Sequence, residues 1–233
     1  LFRSEMIPMF ENELRPFLAA NEDHVIQSHQ FNVSGIGESL LESMISDLIF
    51  PGSNPVVATY AGNCDVKVRV TSQAESQEEA LHLIEQASAI IRERLGVHIY
   101  SECNQSLEEV VMLLLKKNGL SISCAESYTG GLIAGRLVNV PGISQYFSMG
   151  IITYSNESKK DFLGVSEESL KRYGAVSSQV AEEMAKGIAL KANSHIGLSS
   201  TGIAGPDGGS AEKPVGLGYI GVCLNGKVSS IRL

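Results

Sequence analysis

The chain has 233 residues, of which 43% are hydrophobic, and a formal net charge of −8 at pH 7. This length can fill one large or two modest hydrophobic cores, and no apolar run approaches the length of a membrane span. The negative charge, without a local stripe of Lys or Arg, disfavours nucleic acids and acidic membranes as partners. The composition therefore predicts a soluble protein in which local donors hold any anionic ligand.

The first 22 residues contain one predicted helix, from residue 4 to residue 18. Its apolar stripe consists of Met6, Phe10, Leu14 and Leu18, and two prolines limit its regularity. The chain begins at Leu1 without an initiator methionine, and such a helix has no core of its own. We interpret residues 1–22 as part of a longer protein.

Residues 23–103 predict a small α+β domain in which two helices alternate with four strands. The predicted elements are strand 25–33, helix 39–49, strands 56–60 and 65–71 joined across Gly62 and Asn63, a helix between Ser76 and Gly96, and strand 97–100. The stripe of the second helix is predicted to be Leu81, Ile84, Ser88 and Ile91. This order is a split β-α-β arrangement, βαββαβ.

Residues 104–233 predict an α/β domain with helices on both faces of a central sheet. The first helix follows Ser106, and its predicted inward residues are Leu107, Val110, Val111, Leu114 and Leu115. The further elements are a strand from Ile122, helix 132–138, strand 150–154, helix 178–193 and strands 196–200, 217–224 and 227–233. Ligand sites in such sheets lie where strands end in loops.

The turn after the Ile122 strand is the first candidate binding site. It contains Ser127, Thr129, Gly130 and Gly131 and opens a helix, so its N–H groups and hydroxyls can hold an anion. An ordinary helix with Thr129 as its N-cap fits this turn equally well. Two further segments, around Pro141 to Lys160 and from Ser199 to Gly216, contain the other unusual loops; the second has five glycines.

These segments together resemble the CinA family, the nicotinamide mononucleotide deamidases. The motifs that carry the resemblance are A-E-S-Y-T-G-G from Ala125, Y-S-N-E-S-K from Tyr154, G-A-V-S from Gly174 and G-I-A-G-P-D-G-G-S-A-E-K-P-V-G from Gly202. The resemblance implies a C-terminal deamidase domain at 104–233, a KH-like linker domain at 23–103, and at 1–22 the tail of a preceding domain. The family continues beyond the last strand, so the deamidase domain is expected to be C-terminally incomplete.

The resemblance also implies a catalytic set of Ser144, Tyr154 and Lys159. Amide hydrolysis needs a nucleophile, a base and an acid for the departing ammonia. Lys159 can act as the base only if burial or neighbouring cations lower its pKa, so we expect it to be partly buried beside Ser144. The residues alone do not distinguish Ser144 from Ser127 as the nucleophile, and a solvated Lys159 on a helix surface is the alternative.

The expected substrate is nicotinamide mononucleotide, with its phosphate on the turn from Ser127 to Gly131. The predicted binding residues are Ser127, Thr129, Gly130, Gly131, Asn156, Gly205, Asp207 and Lys213. Glu126 or Asp207 could face the positive pyridinium ring, although Glu126 could equally be a structural cap. The resemblance and the dispersed Cys and His residues predict no metal or other cofactor.

The remaining expectations concern partners and location. We expect a cytoplasmic protein with reduced thiols and a homodimer that binds neither nucleic acid nor membrane. Gly35-Ile36-Gly37-Glu38 lacks the G-x-x-G spacing of an RNA-binding KH loop, which favours a spacer role for that domain. The alternative function is a regulatory nucleotide-binding or competence- and damage-associated protein without catalysis. A lysine with a lowered pKa next to a serine would favour an enzyme.

Overall fold

The computed structural model describes residues 2–19, 24–62 and 65–233. Asn63 of the predicted hairpin turn, Cys64 and parts of the predicted N-terminal tail, residues 1 and 20–22, lie outside the described residues. The chain divides into two compact units, Leu1–Leu107 and Glu108–Leu233. Each unit is described below by itself.

The N-terminal segment is helical, as predicted. It consists of α1 (Phe2–Met9), a π-helical stretch (Phe10–Leu14) and α2 (Arg15–Ala19). The π-helical stretch lies between Pro8 and Pro16, neither of which has an N–H group to donate to a helical hydrogen bond. All four residues of its predicted apolar stripe are exposed. The side chains of residues 4–18, the part of this segment whose burial is described, therefore add no buried core.

The rest of the first unit has the predicted βαββαβ order. Its elements are β1 (Val25–Val33), α3 (Glu38–Met44), β2 (Val56–Ala61), β3 (Val66–Ala74), α4 (Gln77–Leu95) and β4 (Ile99–Ser101). The sheet order is β2-β3-β1-β4, and all neighbouring strands are antiparallel. Because β3 lies between β1 and β2, these two strands run parallel without touching, which is the split β-α-β arrangement.

Three details of this unit differ from the prediction. The first helix ends at Met44, and a 3-10 turn follows at Ser46–Leu48. Another 3-10 turn at Gly96–His98 delays the last strand to Ile99. On α4, Leu81 is 48% exposed and the buried stripe is Ala80, Ile84, Ala87, Ser88, Ile91 and Leu95. The core face is thus rotated by one residue at the start of α4, where small Ala80 is close to the sheet.

The second unit is an α/β fold with a five-stranded mixed sheet, as predicted. Its elements are α5 (Leu107–Asn118), β5 (Ile122–Glu126), α6 (Leu132–Val138), β6 (Phe147–Ile152), α7 (Asn156–Leu163), α8 (Glu167–Tyr173), α9 (Ser178–Ala192), β7 (Ile196–Gly202), β8 (Gly218–Leu224) and β9 (Lys227–Arg232). The strand order is β6-β5-β7-β8-β9. Strands β6, β5 and β7 are parallel to one another. Strand β8 is antiparallel to β7, and β9 is antiparallel to β8.

Helices cover both faces of this sheet. On one face, Cys124 packs with Leu115 of α5 and Leu137 of α6. On the other face, Ala125 packs with Met184 of α9. Side chains of neighbouring strand residues point to opposite faces, so β5 is buried on both sides. On α5 the prediction was wrong for Leu107 and Leu114, which are exposed.

Helix α9 lies unusually close to the strands. A Cβ atom at Gly197 of β7 would be 1.9 Å from the Ala185 carbonyl oxygen, and one at Gly221 of β8 would be 2.2 Å from the Ala181 carbonyl oxygen. Only glycine permits this approach of backbone to backbone. It holds α9 against the middle of the sheet and leaves the strand ends free for loops.

Strand β5, the middle one of the three parallel strands, marks the point where the chain changes direction across the sheet. The crossover through α6 leads to β6 on one side of β5, and the crossover through α7, α8 and α9 leads to β7 on the other side. The connections that follow β5 and β6 pack on opposite faces of the sheet, and ligand sites in open α/β sheets lie at the carboxyl ends of strands where this happens. Glu126 is the last residue of β5, and Ser127 follows it at this edge of the sheet.

Candidate active site

Ser127 is held at the carboxyl end of β5 by the neighbouring strand. Its N–H group donates a hydrogen bond to the Ser200 carbonyl oxygen of β7 at 3.0 Å. This bond extends the parallel pairing of β5 and β7 by one residue beyond Glu126. The side chain of Ser127 is buried. The hydroxyl group therefore leaves the sheet at a defined place and is largely shielded from water.

Lys159 comes from α7, the helix that follows β6. Helix α7 begins at a Ser155 N-cap, whose Oγ accepts a hydrogen bond from the Ser158 N–H group at 3.0 Å. Lys159 lies in its first turns and is only 1% exposed. Its Nζ donates to Ser127 Oγ at 3.1 Å, and to the carbonyl oxygens of Thr153 at 2.8 Å and Tyr154 at 3.0 Å. The expected burial of this lysine is confirmed.

The surroundings of Lys159 suit both protonation states of its amine. Burial lowers the pKa of Lys159 from its ordinary value because the charged form loses hydration. As an ammonium, Nζ has three N–H donors for its three oxygen neighbours. As a neutral amine, it has two donors for the two carbonyl groups and a lone pair for the Ser127 hydroxyl. The Lys159 amine can therefore accept the proton of Ser127 without losing a hydrogen bond.

The predicted pairing of Ser144 with Lys159 is wrong. Ser144 is exposed in a 3-10 turn, Ile143–Gln145, which precedes β6. Lys159 follows β6, and the six residues of this strand separate the two ends by roughly 16 Å at about 3.3 Å per residue. Because Ile122 is opposite Phe147, Ser144 lies at the amino edge of the parallel strands. Lys159 and Ser127 lie at the carboxyl edge.

Tyr154 lies next to the pair through its backbone. Its carbonyl oxygen accepts a hydrogen bond from Lys159, whereas its side chain is 72% exposed. The phenol therefore lies at the surface beside a buried amine. Its predicted proton-donor role stays a prediction.

The turn from Ser127 to Gly131 is closed over the side chain of Glu126. Glu126 Oε2 accepts hydrogen bonds from the N–H groups of Gly131 at 3.0 Å and Ile133 at 3.1 Å, and Oε1 accepts one from the Ala134 N–H group at 2.8 Å. Gly130 and Gly131 have φ values of 61° and 101°, which favour glycine. Glu126 thus already binds three N–H groups at the start of α6, and the predicted phosphate site on this turn stays a prediction.

Thr129 is part of the same closed turn. It is not the N-cap of α6, which is Gly131. Its Oγ1 donates to Glu126 Oε2 at 2.7 Å and lies 2.6 Å from Ser200 Oγ. Of the two roles considered for Glu126, the structure supports the structural cap. Thr129 and Glu126 contact each other rather than an open surface.

The remaining predicted binding residues lie in two places. Asn156 is the exposed first residue of α7, and Gly205 and Asp207 belong to the long loop after β7. Lys213, in the same loop, donates from Nζ to the carbonyl oxygens of Tyr173 and Val176. Its ammonium therefore ties this loop to the turn between α8 and α9, and the prediction that it binds substrate is not supported.

Two residues near the pair were missed by the sequence analysis. Ser200, which is fully buried, receives the Ser127 N–H group and contacts Thr129. Thr153 is fully buried, and its hydroxyl has no hydrogen-bond partner among the described residues. The sequence feature that could have identified them is a hydroxyl residue at the carboxyl end of each strand, because parallel strands bring these ends to one edge of the sheet.

The described parts of the chain contain neither a metal-binding cluster nor a membrane-spanning helix. Among those residues, no group of three or more His, Cys, Asp or Glu side chains is arranged to hold a metal ion. Within the same ranges, no helix combines the length and the apolar character needed to cross a bilayer. Cys103, Cys124 and Cys223 are free thiols. The pKa of Cys124 is raised to about 12, mainly because the thiol is buried and to a smaller extent because the Glu126 charge is nearby.

Fold and site together define an α/β protein with a buried serine–lysine pair at the point where the crossovers of its parallel strands diverge. Residues 104–233 match the CinA C-terminal domain, and residues 28–101 match the KH domain of damage-inducible protein CinA. The first match covers more than half of the chain. The chain belongs to the CinA family.

Individual relatives agree with this assignment. The chain is 50% identical over 229 residues to a putative competence-damage inducible protein of Clostridium acetobutylicum, a match that covers 98% of this chain and 56% of the relative. It is 52% identical over 225 residues to a CinA-like protein of Dictyoglomus turgidum, covering 97% of this chain and 55% of the relative. The chain thus spans about half the length of the curated relatives it matches.

Solved structures of CinA-family proteins share the fold of about half of this chain. The competence/damage inducible protein CihA from Agrobacterium tumefaciens is 44% identical with a TM-score of 0.53, and the match covers 54% of this chain and 77% of that one. A CinA superfamily protein from Escherichia coli is 31% identical with a TM-score of 0.53, covering 55% and 74% of the two chains. These names record competence and damage and state no reaction.

Proposed function

We propose that this protein hydrolyses the carboxamide of nicotinamide mononucleotide to nicotinic acid mononucleotide and ammonia. The observation that carries the proposal is the contact between the buried amine of Lys159 and the hydroxyl of Ser127. A lysine with a lowered pKa beside a serine is a nucleophile with its base. A regulatory nucleotide-binding module would have no use for this buried pair.

The first half of the proposed reaction forms an acyl-enzyme. The neutral Lys159 amine takes the hydroxyl proton as Ser127 Oγ attacks the carboxamide carbon. The resulting Lys159 ammonium then gives a proton to the nitrogen of the tetrahedral intermediate. The carbon–nitrogen bond breaks, ammonia leaves, and the nicotinoyl group stays on Ser127 as an ester.

The second half returns the protein to its starting state. Lys159, neutral again, takes a proton from water as the water oxygen attacks the ester carbon. Lys159 then returns this proton to Ser127 Oγ as the ester bond breaks and the carboxylic acid leaves. The hydrogen bonds to Thr153 and Tyr154 keep the amine in place through both halves.

The remaining assignments are part of the same proposal. Residues 104–233 would be the deamidase domain and residues 23–103 a KH-like spacer. Tyr154, Asn156 and Asp207 are exposed around the pair or in the loop after β7, where they could contact the substrate. The cytoplasmic location, the homodimer and the absence of a nucleic-acid partner remain expectations from the sequence.

The proposal is tested by measuring ammonia release. The purified chain is expected to release one ammonia for each nicotinic acid mononucleotide formed, followed by a coupled assay and by chromatography. Nicotinamide riboside and nicotinamide serve as comparison substrates that lack the phosphate or the whole ribose phosphate. If the folded chain releases no ammonia from any of the three amides, the proposed activity is wrong.

The pH dependence of this activity has a defined direction. Burial lowers the pKa of Lys159 below the ordinary lysine value of 10.5, and only the neutral amine can accept the Ser127 proton. We expect kcat/KM to rise with pH along a limb of unit slope whose midpoint lies below 10.5. Lys160→Ala, which changes an exposed lysine of the same helix, should leave this limb unchanged. A midpoint at the ordinary lysine value would contradict the assignment of Lys159 as the base.

A further inference from the structure

The side chain of Glu126 occupies an unusual position for a buried acid. It is 1% exposed at the end of β5, and its carboxylate accepts hydrogen bonds from three N–H groups and one hydroxyl. The ion pairs recorded among the described residues do not include Glu126. Its charge is therefore stabilised by these four donors and by the positive end of α6 rather than by a basic side chain.

The donors that Glu126 satisfies lie within the turn that carries Ser127 and at the far end of that turn. Glu126 itself precedes Ser127, and Gly131, Ile133 and Ala134 begin the helix after the turn. The Glu126 carboxylate thus links the start of the turn to the first residues of α6. This closure restricts the turn to few conformations, because the residue at its start is hydrogen-bonded to the residues at its end.

The backbone of Glu126 holds the other half of the pair. Its carbonyl oxygen accepts a hydrogen bond from the Thr153 N–H group at 2.8 Å. The Thr153 carbonyl oxygen in turn accepts a hydrogen bond from Lys159 Nζ. The Glu126 side chain therefore binds the turn that carries Ser127, and the Glu126 main chain binds Thr153, which in turn binds Lys159.

We propose that Glu126 is a positioning residue, a built-in anion that fills the start of α6 and keeps Ser127 Oγ aligned with Lys159. The inference rests on the proposed function, in which Ser127 is the nucleophile. It also means that the phosphate of the substrate is bound away from this turn, since the protein's own carboxylate takes the place that an anionic group would need.

The inference is tested with a probe that does not depend on the proposed substrate. A fluorophosphonate reacts with an activated serine: the Ser127 Oγ–P bond forms, the P–F bond breaks, fluoride leaves and the hydroxyl proton passes to Lys159. The rate constant of labelling is measured by intact mass as a function of pH. Peptide mass spectrometry identifies the labelled residue.

Glu126→Gln keeps the shape of the side chain but turns an amide NH₂ group toward N–H donors. We expect its labelling rate constant and its kcat for ammonia release to fall at least about tenfold, with KM changed less than twofold. Thr129→Val, which removes only one of the four donors, is expected to have a smaller effect. Circular dichroism and the melting temperature show whether each variant is folded.

Rescue separates positioning from general destabilisation. Glu126→Ala leaves room for a small carboxylate, and we expect formate or acetate to restore part of its labelling rate, while Ser127→Ala stays unlabelled in either salt. If Glu126→Ala does not fold, Glu126→Gln and Glu126→Asp provide the comparison, with Glu126→Asp expected to retain more labelling because it keeps the charge.

Two results would overturn the inference. One is a normal labelling rate in folded Glu126→Gln, which would show that Ser127 does not need this carboxylate. The other is a large rise in KM with unchanged kcat, which would place Glu126 against the substrate. Labelling of Ser127 without ammonia release would count against the proposed substrate only, because the effect of Glu126 is still read from the labelling rate.

Discussion

Ser127→Ala is expected to lower kcat for ammonia release by at least about three orders of magnitude, because the variant has no oxygen nucleophile for an acyl-enzyme. The change removes one oxygen from a buried site and leaves the Ser127 N–H bond to Ser200 in place. The folded state should therefore persist, which circular dichroism can verify. Mass spectrometry of a quenched reaction should detect the nicotinoyl ester on the unsubstituted chain and not on the variant.

Ser144→Ala is the matched control for this experiment. Ser144 is exposed at the opposite edge of the parallel strands, so its removal should change kcat less than about twofold. The opposite outcome, a near-normal Ser127→Ala and an inactive Ser144→Ala, would return the nucleophile to the residue favoured by family resemblance. It would also require a base other than Lys159, because Lys159 contacts Ser127.

Lys159→Met should cause a loss of similar size, about three orders of magnitude in kcat. Methionine has a comparable length for the buried position but no amine to take the Ser127 proton. Lys159→Arg should also be inactive, since a guanidinium stays protonated and cannot act as a base. The double variant Ser127→Ala/Lys159→Met should be little worse than either single variant, because the two residues act as one unit.

Stability and activity must be measured together for the Lys159 variants. Lys159→Met leaves the Thr153 and Tyr154 carbonyl groups without this donor, which costs stability, but it also removes an amine that is buried at a cost in hydration. Melting temperatures and kcat are therefore recorded for the same preparations. A folded Lys159→Met with near-normal kcat would exclude the lysine as the base.

The local sequence does not determine which of the two serines lies beside Lys159. Ser127 and Ser144 both lie in loops near glycines, and each is followed by strand or helix signals. Their difference arises from the sheet: Ser127 follows the carboxyl end of β5, whereas Ser144 precedes β6. Because β5 and β6 are parallel, the two serines lie at opposite edges. The residues next to each serine predict a strand before Ser127 and a strand after Ser144, but they do not encode that these two strands are parallel neighbours.

The role of the glycine turn also depends on the tertiary structure and not on the local sequence. The residues Thr129, Gly130 and Gly131 before a helix are compatible with a bound anion or with a structural cap. The carboxylate of Glu126 reaches back over the turn and takes the helix donors. Helix α6 itself begins at Leu132, as its pattern predicts. The element was therefore predictable, and the partner of its N–H groups was not.

The sequence by itself determined the α/β class of the second unit and the βαββαβ order of the first. These features follow from hydrophobic periodicity, caps and glycine positions, which act over a few residues. Only the tertiary structure decided that Lys159 meets Ser127, that Lys213 binds carbonyl groups of another turn, and that Ala80 rather than Leu81 faces the core. Such contacts depend on strand order and on the rotation of packed helices, and distant parts of the chain set both together.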